Sequence, residues 1–407
     1  MSDSSDDPRT RLIHHPYAPP PGFEAVQPGV HKASTVIFPD VAAMRSRTLL
    51  DRSGYTYGLH GTPTSFTLEA RIATLEGGAH ALLTPSGLSA ITLVDTALLK
   101  AGDQVLLPDN VYAPSREFAR HELARWGIGH AFYDPMDAAS LAAALTPATR
   151  LVWLEAPGSV TLEFPDLRGL VRRVRKQAPG VRLALDNTWG AGLAFRPFDL
   201  GQGEGVDISI QALTKYASGG GDVLMGSVAV RDRGLHEQLA LTRSRLGLGV
   251  GANDVEAVLR SLPSLPLRYA AHDAAARRFA QWCAGRSEFV RVLHPARPGS
   301  PGHEHWAAVC GADGAAAGLV TVEIDPAHDV PSTDAFVDAL RLFRLGYSWG
   351  GPVSLAVPYR MAGTRRLPTP YKGTLVRFSI GLEAVEDLIA DVSAALGALS
   401  RVNASAR

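Results

Sequence analysis

Cysteine is scarce in this chain: only Cys283 and Cys310 occur in 407 residues. Two thiols are too few for a disulfide framework and lack the spacing of a zinc site, so a reducing cytoplasm is the expected compartment. Net charge is also missing. Forty basic residues balance forty acidic ones, which leaves no electrostatic footprint for nucleic acid or an anionic membrane. Small zwitterionic substrates remain compatible. No apolar run is long enough to span a bilayer, and Met1 to Pro8 is acidic and serine-rich without the apolar core of a signal peptide. A soluble, intracellular protein is therefore expected. No repeat of fixed period, Walker loop or GxSxG elbow is present.

The length exceeds the size at which a single core stops growing, so two domains are expected behind an N-terminal arm. The arm covers residues 1–60, rich in proline and glycine from Pro16 to Pro21 and on through Phe38-Pro39. Such a segment is costly to order alone, and its aromatic end Tyr55-Thr-Tyr57 favours packing on a neighbour, so an oligomer contact is expected here. Residues 61–254 form the first domain and 255–407 the second.

Thr62-Pro63 and the spacing Leu68, Ile72, Leu75 predict a helix from Pro63 to Glu76, ended by Gly77-Gly78. Short apolar runs then alternate with helical segments. The runs are Ala81–Thr84, Val105–Pro108, Leu151–Glu155, Val181–Asp186, Ile208–Gln211 and Ser227–Val230; the helices include Leu88–Lys100, Pro114–Trp126 and Leu167–Gln177. This is the pattern of an α/β layer with a mostly parallel sheet, in which ligands lie outside the carboxyl ends of the strands. A long helical stretch from Val255 to Trp282, interrupted at Pro263 and Pro266, leads into the smaller second part. There the pattern predicts a strand Gly318–Ile324, a helix with Phe336, Leu340 and Phe343 on one face, a strand Thr374–Ile380 and a final helix from Glu383 to about Leu399.

Lys215 stands at the end of the run Ile208–Leu213 and before the turn Ser218-Gly-Gly-Gly-Asp222. Partial desolvation there makes an amine nucleophilic and able to form a Schiff base with a carbonyl cofactor such as pyridoxal phosphate. Taken alone, the context also fits a lysine that caps a strand or answers a buried carboxylate. Thr84-Pro-Ser86-Gly87-Leu88 opens a helix at a strand end, the geometry that receives a phosphate, although Ser86 equally serves as an ordinary N-cap. Asp186 closes its strand, and a fixed anion at that edge can pair with a pyridinium nitrogen or simply begin a turn. Tyr112 suits stacking on a planar ring or a place in the core. Arg377, on the strand with Leu375 and Ser379, suits a substrate carboxylate or an ion pair. Tyr347-Ser-Trp-Gly-Gly351 reads as glycines breaking a helix beside an aromatic, as in a substrate-lining loop.

Two further signals mislead. Gly247-Leu-Gly-Val-Gly-Ala252 spells a dinucleotide fingerprint, but it follows a helical segment and no acid stands about 20 residues on. His303-Glu-His305 resembles a metal pair, yet its Pro and Gly neighbours suggest a surface loop without further ligands, so no metal is expected.

In their order along the chain, Leu154-Glu-Ala-Pro-Gly-Ser159, Asp186-Asn-Thr-Trp189, Ser209-Ile-Gln-Ala-Leu-Thr-Lys-Tyr216, Tyr347-Ser-Trp-Gly-Gly351 and Arg377-Phe-Ser-Ile-Gly-Leu-Glu383 resemble the Cys/Met-metabolism family of pyridoxal phosphate enzymes. The resemblance runs from about Tyr55 to Leu399 and is strongest to the bacterial cystathionine β-lyases of that family. It implies an aspartate-aminotransferase-like fold (PLP fold type I), with a mostly parallel seven-stranded sheet in the large domain and a smaller α+β C-terminal domain. It also implies pyridoxal 5'-phosphate as cofactor and a homotetramer built from dimers with shared active sites.

By the same resemblance, Lys215 matches the Schiff-base lysine, Asp186 the partner of the ring nitrogen and Tyr112 the ring-stacking tyrosine. Gly87, Leu88 and Thr214 match the phosphate cup, beside Ser86, whose place at the helix start makes it a candidate cofactor-binding residue. Tyr57 matches a tyrosine that reaches into the neighbouring subunit's site, and Arg377, Ser348 and Trp349 the substrate pocket. Catalytic roles fall to Lys215, Tyr112 and Tyr57, and the implied reaction is β-elimination from L-cystathionine to homocysteine, pyruvate and ammonia. A cysteine desulfhydrase, a γ-acting relative and a non-catalytic cofactor-binding relative are the alternatives. Two positions depart from the pattern: Leu59 stands where many relatives carry an arginine for the phosphate, and Ala212 where a hydroxyl residue is common.

Overall fold

The computed structural model describes residues 7–15, 21–23, 25–47, 54–361 and 365–405. The expectations resting on Met1 to Asp6 and on the prolines from Pro16 to Pro20 lie outside these residues. The larger sheet has seven strands: β1 (His80–Thr84), β2 (Gln104–Pro108), β3 (Gly129–Tyr133), β4 (Thr149–Glu155), β5 (Arg182–Asp186), β6 (Ile208–Gln211) and β7 (Gly226–Val230). They lie in the order β1-β7-β6-β5-β4-β2-β3. From β3 through β6 every pairing is parallel, whereas β7 runs antiparallel to both β6 and β1. The sheet is thus mixed but mostly parallel, as expected.

Burial on both faces explains the near-continuous apolar strands. Leu83, Leu106, Val152, Leu154, Leu183 and Leu185 enter one buried cluster. Their neighbours Leu82, Val105, Leu107, Leu151, Trp153 and Ala184 enter another on the opposite face. Each fully buried leucine contributes roughly 1.5–3 kcal/mol by leaving water, so one residue of register slip in these strands would be heavily disfavoured.

The Pro63–Glu76 helix begins on a capping box at Thr62 and ends on left-handed Gly77, as its sequence dictates. The predicted Pro114–Trp126 helix is instead an α-helix Ala113–Phe118 that passes into a π-helical turn Ala119–Leu123. The long helical stretch is broken at its prolines into Ala252–Ser261, a 3-10 turn Leu262–Ser264 and Leu265–Cys283.

The second sheet contains β8 (Phe289–Leu293), β9 (Leu319–Ile324), β10 (Arg344–Leu345), β11 (Leu355–Tyr359) and β12 (Leu375–Ser379), in the order β10-β11-β12-β9-β8. All its pairings are antiparallel except the short β10 with β11. The Val330–Asp338 helix and the final Val385–Ser405 helix cover it around a separate core of Phe279, Phe336, Phe343 and Phe378.

Three local expectations need correction. The helix bearing Phe336 stops at Asp338, so Leu340 and Phe343 reach the same core from the following turn. Tyr347–Gly351 does not break a helix, because it follows the two-residue β10. His303-Glu-His305 begins a helix, His303–Cys310, rather than a loop; His303 bonds the Pro295 carbonyl and stacks on Trp306. Among the described residues no group of three or more His, Cys, Asp or Glu could hold a metal ion.

Candidate active site

The carboxyl ends of β4, β5 and β6 carry the reactive groups. Glu155 and Asp186, the last residues of β4 and β5, are register partners. Burial and the mutual repulsion of the two carboxylates push Glu155 well above the usual carboxylate range, and burial raises Asp186 as well. The Thr188 N–H donates to Asp186 Oδ1 at 2.9 Å and opposes that rise. The Ala212 N–H in turn donates to Thr188 Oγ1 at 2.9 Å, which ties the turn after β5 to the one after β6.

Lys215 follows β6 in a tight turn closed by its own N–H to the Ala212 carbonyl at 3.0 Å. Its ammonium donates to Ser348 Oγ at 2.6 Å and lies 5.4 Å from the centre of the Trp349 ring. Desolvation, with help from the Arg377 charge and against that of Asp186, pushes the amine down to about 8. At that value roughly a tenth of the amine is unprotonated at pH 7, far more than in an ordinary lysine, as a nucleophilic lysine requires. Ser348 accepts this bond with a backbone φ of 101°. That is a strained conformation for a non-glycine residue and one concentrated at functional sites. Gly350 holds the same loop against the lysine: its φ is 79°, and a Cβ there would lie 3.0 Å from the Tyr216 nitrogen.

Arg377 projects from β12 and is 8 % exposed. Its guanidinium lies 5.3 Å from the centre of the Tyr359 ring, and among the described residues it forms no salt bridge. A buried arginine without a carboxylate partner is poised for a carboxylate ligand. Tyr112 is about half exposed. Its N–H donates to Glu155 Oε2 at 2.9 Å, and its phenol is raised by burial and by the Asp186 and Glu155 charges against that of Arg377. Lys215, Asp186, Tyr112, Arg377, Ser348 and Trp349 are therefore brought together.

Ser86 caps the Gly87–Leu98 helix by accepting from the Ser89 N–H at 3.0 Å. Gly87 leaves no room for a side chain, since a Cβ would lie 2.5 Å from the Ala212 Cβ. The N-terminus of that helix, with Leu88 in its first turn, thus sits against the lysine-bearing turn. Thr214 Oγ1 accepts from the Met225 N–H at 3.1 Å and donates to its carbonyl at 3.2 Å.

Tyr57 lies apart from this group. Its backbone bridges to Thr35, and its half-exposed ring meets that of His60 at 6.1 Å. His60 bonds Thr56 and Ser244, and burial with the Arg243 and Arg47 charges lowers its basicity below the ordinary imidazole value, which disfavours a cation there. Beside Leu59, Arg243 donates to the Leu59 carbonyl at 3.1 Å.

Glu76 was not legible as a site residue. Buried beneath the strand ends, it accepts from Ser209, Gln211 and Asn187 and is raised to about 7 by burial. Glu155, within Leu154–Ser159, is a further buried acid of the site. Its position as the terminal acid of β4 was a usable signal.

A partly deprotonated amine, a neighbouring buried carboxyl group and a helix N-terminus packed on the lysine-bearing turn suit a ligand that combines an aldehyde, a basic ring nitrogen and a phosphate. Fold and site thus define a pyridoxal phosphate enzyme. The chain belongs to the Cys/Met metabolism PLP-dependent enzyme family, whose pattern it matches over residues 9–397, and pyridoxal phosphate is its cofactor.

It is 38% identical over 394 residues to a putative cystathionine beta-lyase of Rhizobium johnstonii, covering 97% of this chain and 96% of that one. With the cystathionine beta-lyase MetC of Escherichia coli the identity is 34%, over 97% of this chain and 98% of the relative. At 32% identity stand an L-alanine/L-glutamate racemase of Wolbachia pipientis and an L-methionine gamma-lyase of Pseudomonas putida. Among solved structures, metB from Corynebacterium glutamicum superposes with a TM-score of 0.87 at 26% identity, covering 98% of this chain and all of the other.

Proposed function

We propose that the protein is a carbon–sulfur β-lyase that cleaves L-cystathionine, with water, to homocysteine, pyruvate and ammonia. The observation that carries this reading is the Lys215 amine held 2.6 Å from Ser348 Oγ and against Trp349, within the reach of Arg377's charge. The names of the Rhizobium johnstonii and Escherichia coli relatives support it.

Pyridoxal phosphate supplies the electron sink for a carbanion at the substrate Cα. Lys215, Asp186, Tyr112 and the turn Ser86-Gly87-Leu88 with Thr214 are the residues that would hold it. Arg377 takes the substrate carboxylate in a bidentate pair and so fixes which Cα bond faces the lysine. Lys215 removes the Cα proton, and Ser348 orients its amine for that task. Asp186 would pair with the ring nitrogen and hold a proton there. Trp349 walls the side of the pocket toward the departing thiolate.

The reading includes a cytoplasmic homotetramer built from dimers, in which the exposed Tyr57 reaches the neighbouring subunit's site. Keto-acid identification after incubation with L-cystathionine tests the activity. Pyruvate supports β-cleavage, whereas 2-oxobutyrate would favour the γ-acting alternative that the Pseudomonas putida relative represents.

A further inference from the structure

We infer that Arg365 is a positioning residue that fastens the Tyr112 loop to the second sheet's domain and thereby sets the tyrosine's place over the cofactor. This rests on the reading of Tyr112 as the ring-stacking residue. The connection from β11 to β12 returns to the large domain at Arg365, whose side chain is 6 % exposed. Its Nε donates to Asp109 Oδ2 at 3.1 Å, and its Nη1 donates to both oxygens of Glu163 at 3.0 Å. The N–H groups of Arg366 and Leu367 complete the hold on Asp109, at 2.9 and 3.2 Å.

Asp109 and Asn110 begin the turn that delivers Tyr112. Asn110 Nδ2 donates to Glu163 Oε2 at 2.9 Å, so Glu163 joins the arginine to the turn by a second route. From the other side, Glu155 receives the Tyr112 N–H. The turn is therefore pinned between the sheet edge that carries Asp186 and a segment from the other domain. That same connection leaves β11 at Tyr359, beneath Arg377. One stretch of chain thus links the candidate carboxylate pocket to the candidate ring-stacking residue. Asp109 and Glu163 are almost wholly buried, and such acids are retained only with a partner of fixed geometry. A planar guanidinium bridges both, whereas a lysine ammonium at this place does not reproduce the fork.

The test is a cycle of full-length proteins: wild type, Arg365→Met, Tyr112→Ala and the double variant. Each apoprotein is titrated with pyridoxal 5'-phosphate, and the visible circular dichroism of the bound form is recorded. Arg365→Met is expected to weaken binding about tenfold, the scale of a lost aromatic stacking contact, and to alter the visible signal. In the Tyr112→Ala background it should cost nothing further. Wild-type affinity and signal in Arg365→Met, or a loss that adds in full to that of Tyr112→Ala, would overturn the inference while leaving the stacking role intact. A silent Tyr112→Ala would overturn the stacking role and the inference with it. If Arg365→Met does not fold, Asp109→Asn loosens the same clamp and replaces it in the cycle.

Discussion

The ammonium of Lys215 donates to Ser348 Oγ at 2.6 Å across a sequence separation of 133 residues, joining the end of a parallel strand to a loop of the other domain. The contact fixes the amine where burial and Arg377 depress its basicity to about 8. The basicity of this lysine thus depends on Arg377 of the second sheet as well as on burial and on Asp186 beside its own strand.

Reaction of apoprotein Lys215 with trinitrobenzenesulfonate should rise with a midpoint near pH 8, against 10.5 for an ordinary lysine. Arg377→Met removes a repelling cation and should move the midpoint up; Asp186→Asn removes a stabilising anion and should move it down. Between about 8 and 10.5 the unfolded chain binds a proton at this site that the folded protein does not, so this group makes stability rise with pH across that window. A midpoint at the ordinary value would contradict the described environment.

Gly87→Ala tests the helix N-terminus. An added Cβ would meet Ala212 at 2.5 Å, and the strain of overpacking is about 1–3 kcal/mol. Displacing the helix start should weaken pyridoxal phosphate binding roughly tenfold or more, since every ~1.4 kcal/mol is a factor of ten. Fluorescence titration of the apoprotein measures it. Unchanged affinity would remove this turn from the phosphate site.

Arg377→Met should raise KM for a thioether amino acid by about two orders of magnitude, the scale of a charge-assisted bidentate pair. Arg377→Lys should recover only part of it, because an ammonium cannot present the fork. Steady-state kinetics on both variants decides it, and a KM equal to wild type in Arg377→Met would assign the carboxylate elsewhere.

Much of this architecture was legible because the strand ends carry it. Lys215, Asp186 and Arg377 each end or interrupt an apolar run, and the sheet places such residues at its carboxyl edge or within its face. β3 escaped because it is an outer strand of mixed polarity, Gly-His-Ala-Phe-Tyr, with only Tyr133 buried. The left-handed backbone of Ser348 left no trace in composition. Glu76 and Arg365 were invisible for another reason: their partners lie 111 and 256 residues away, and periodicity carries no information at such range.

β-Cleavage with Lys215 as the base predicts a defined pair of products. The most direct measurement incubates the holoenzyme with L-cystathionine while identifying the keto acid and the released thiol. Pyruvate and homocysteine should form in equal amounts, and Lys215→Ala should form neither and lack the visible absorbance of the bound cofactor. Formation of 2-oxobutyrate and cysteine would contradict β-cleavage, and wild-type turnover by Lys215→Ala would contradict Lys215 as the base.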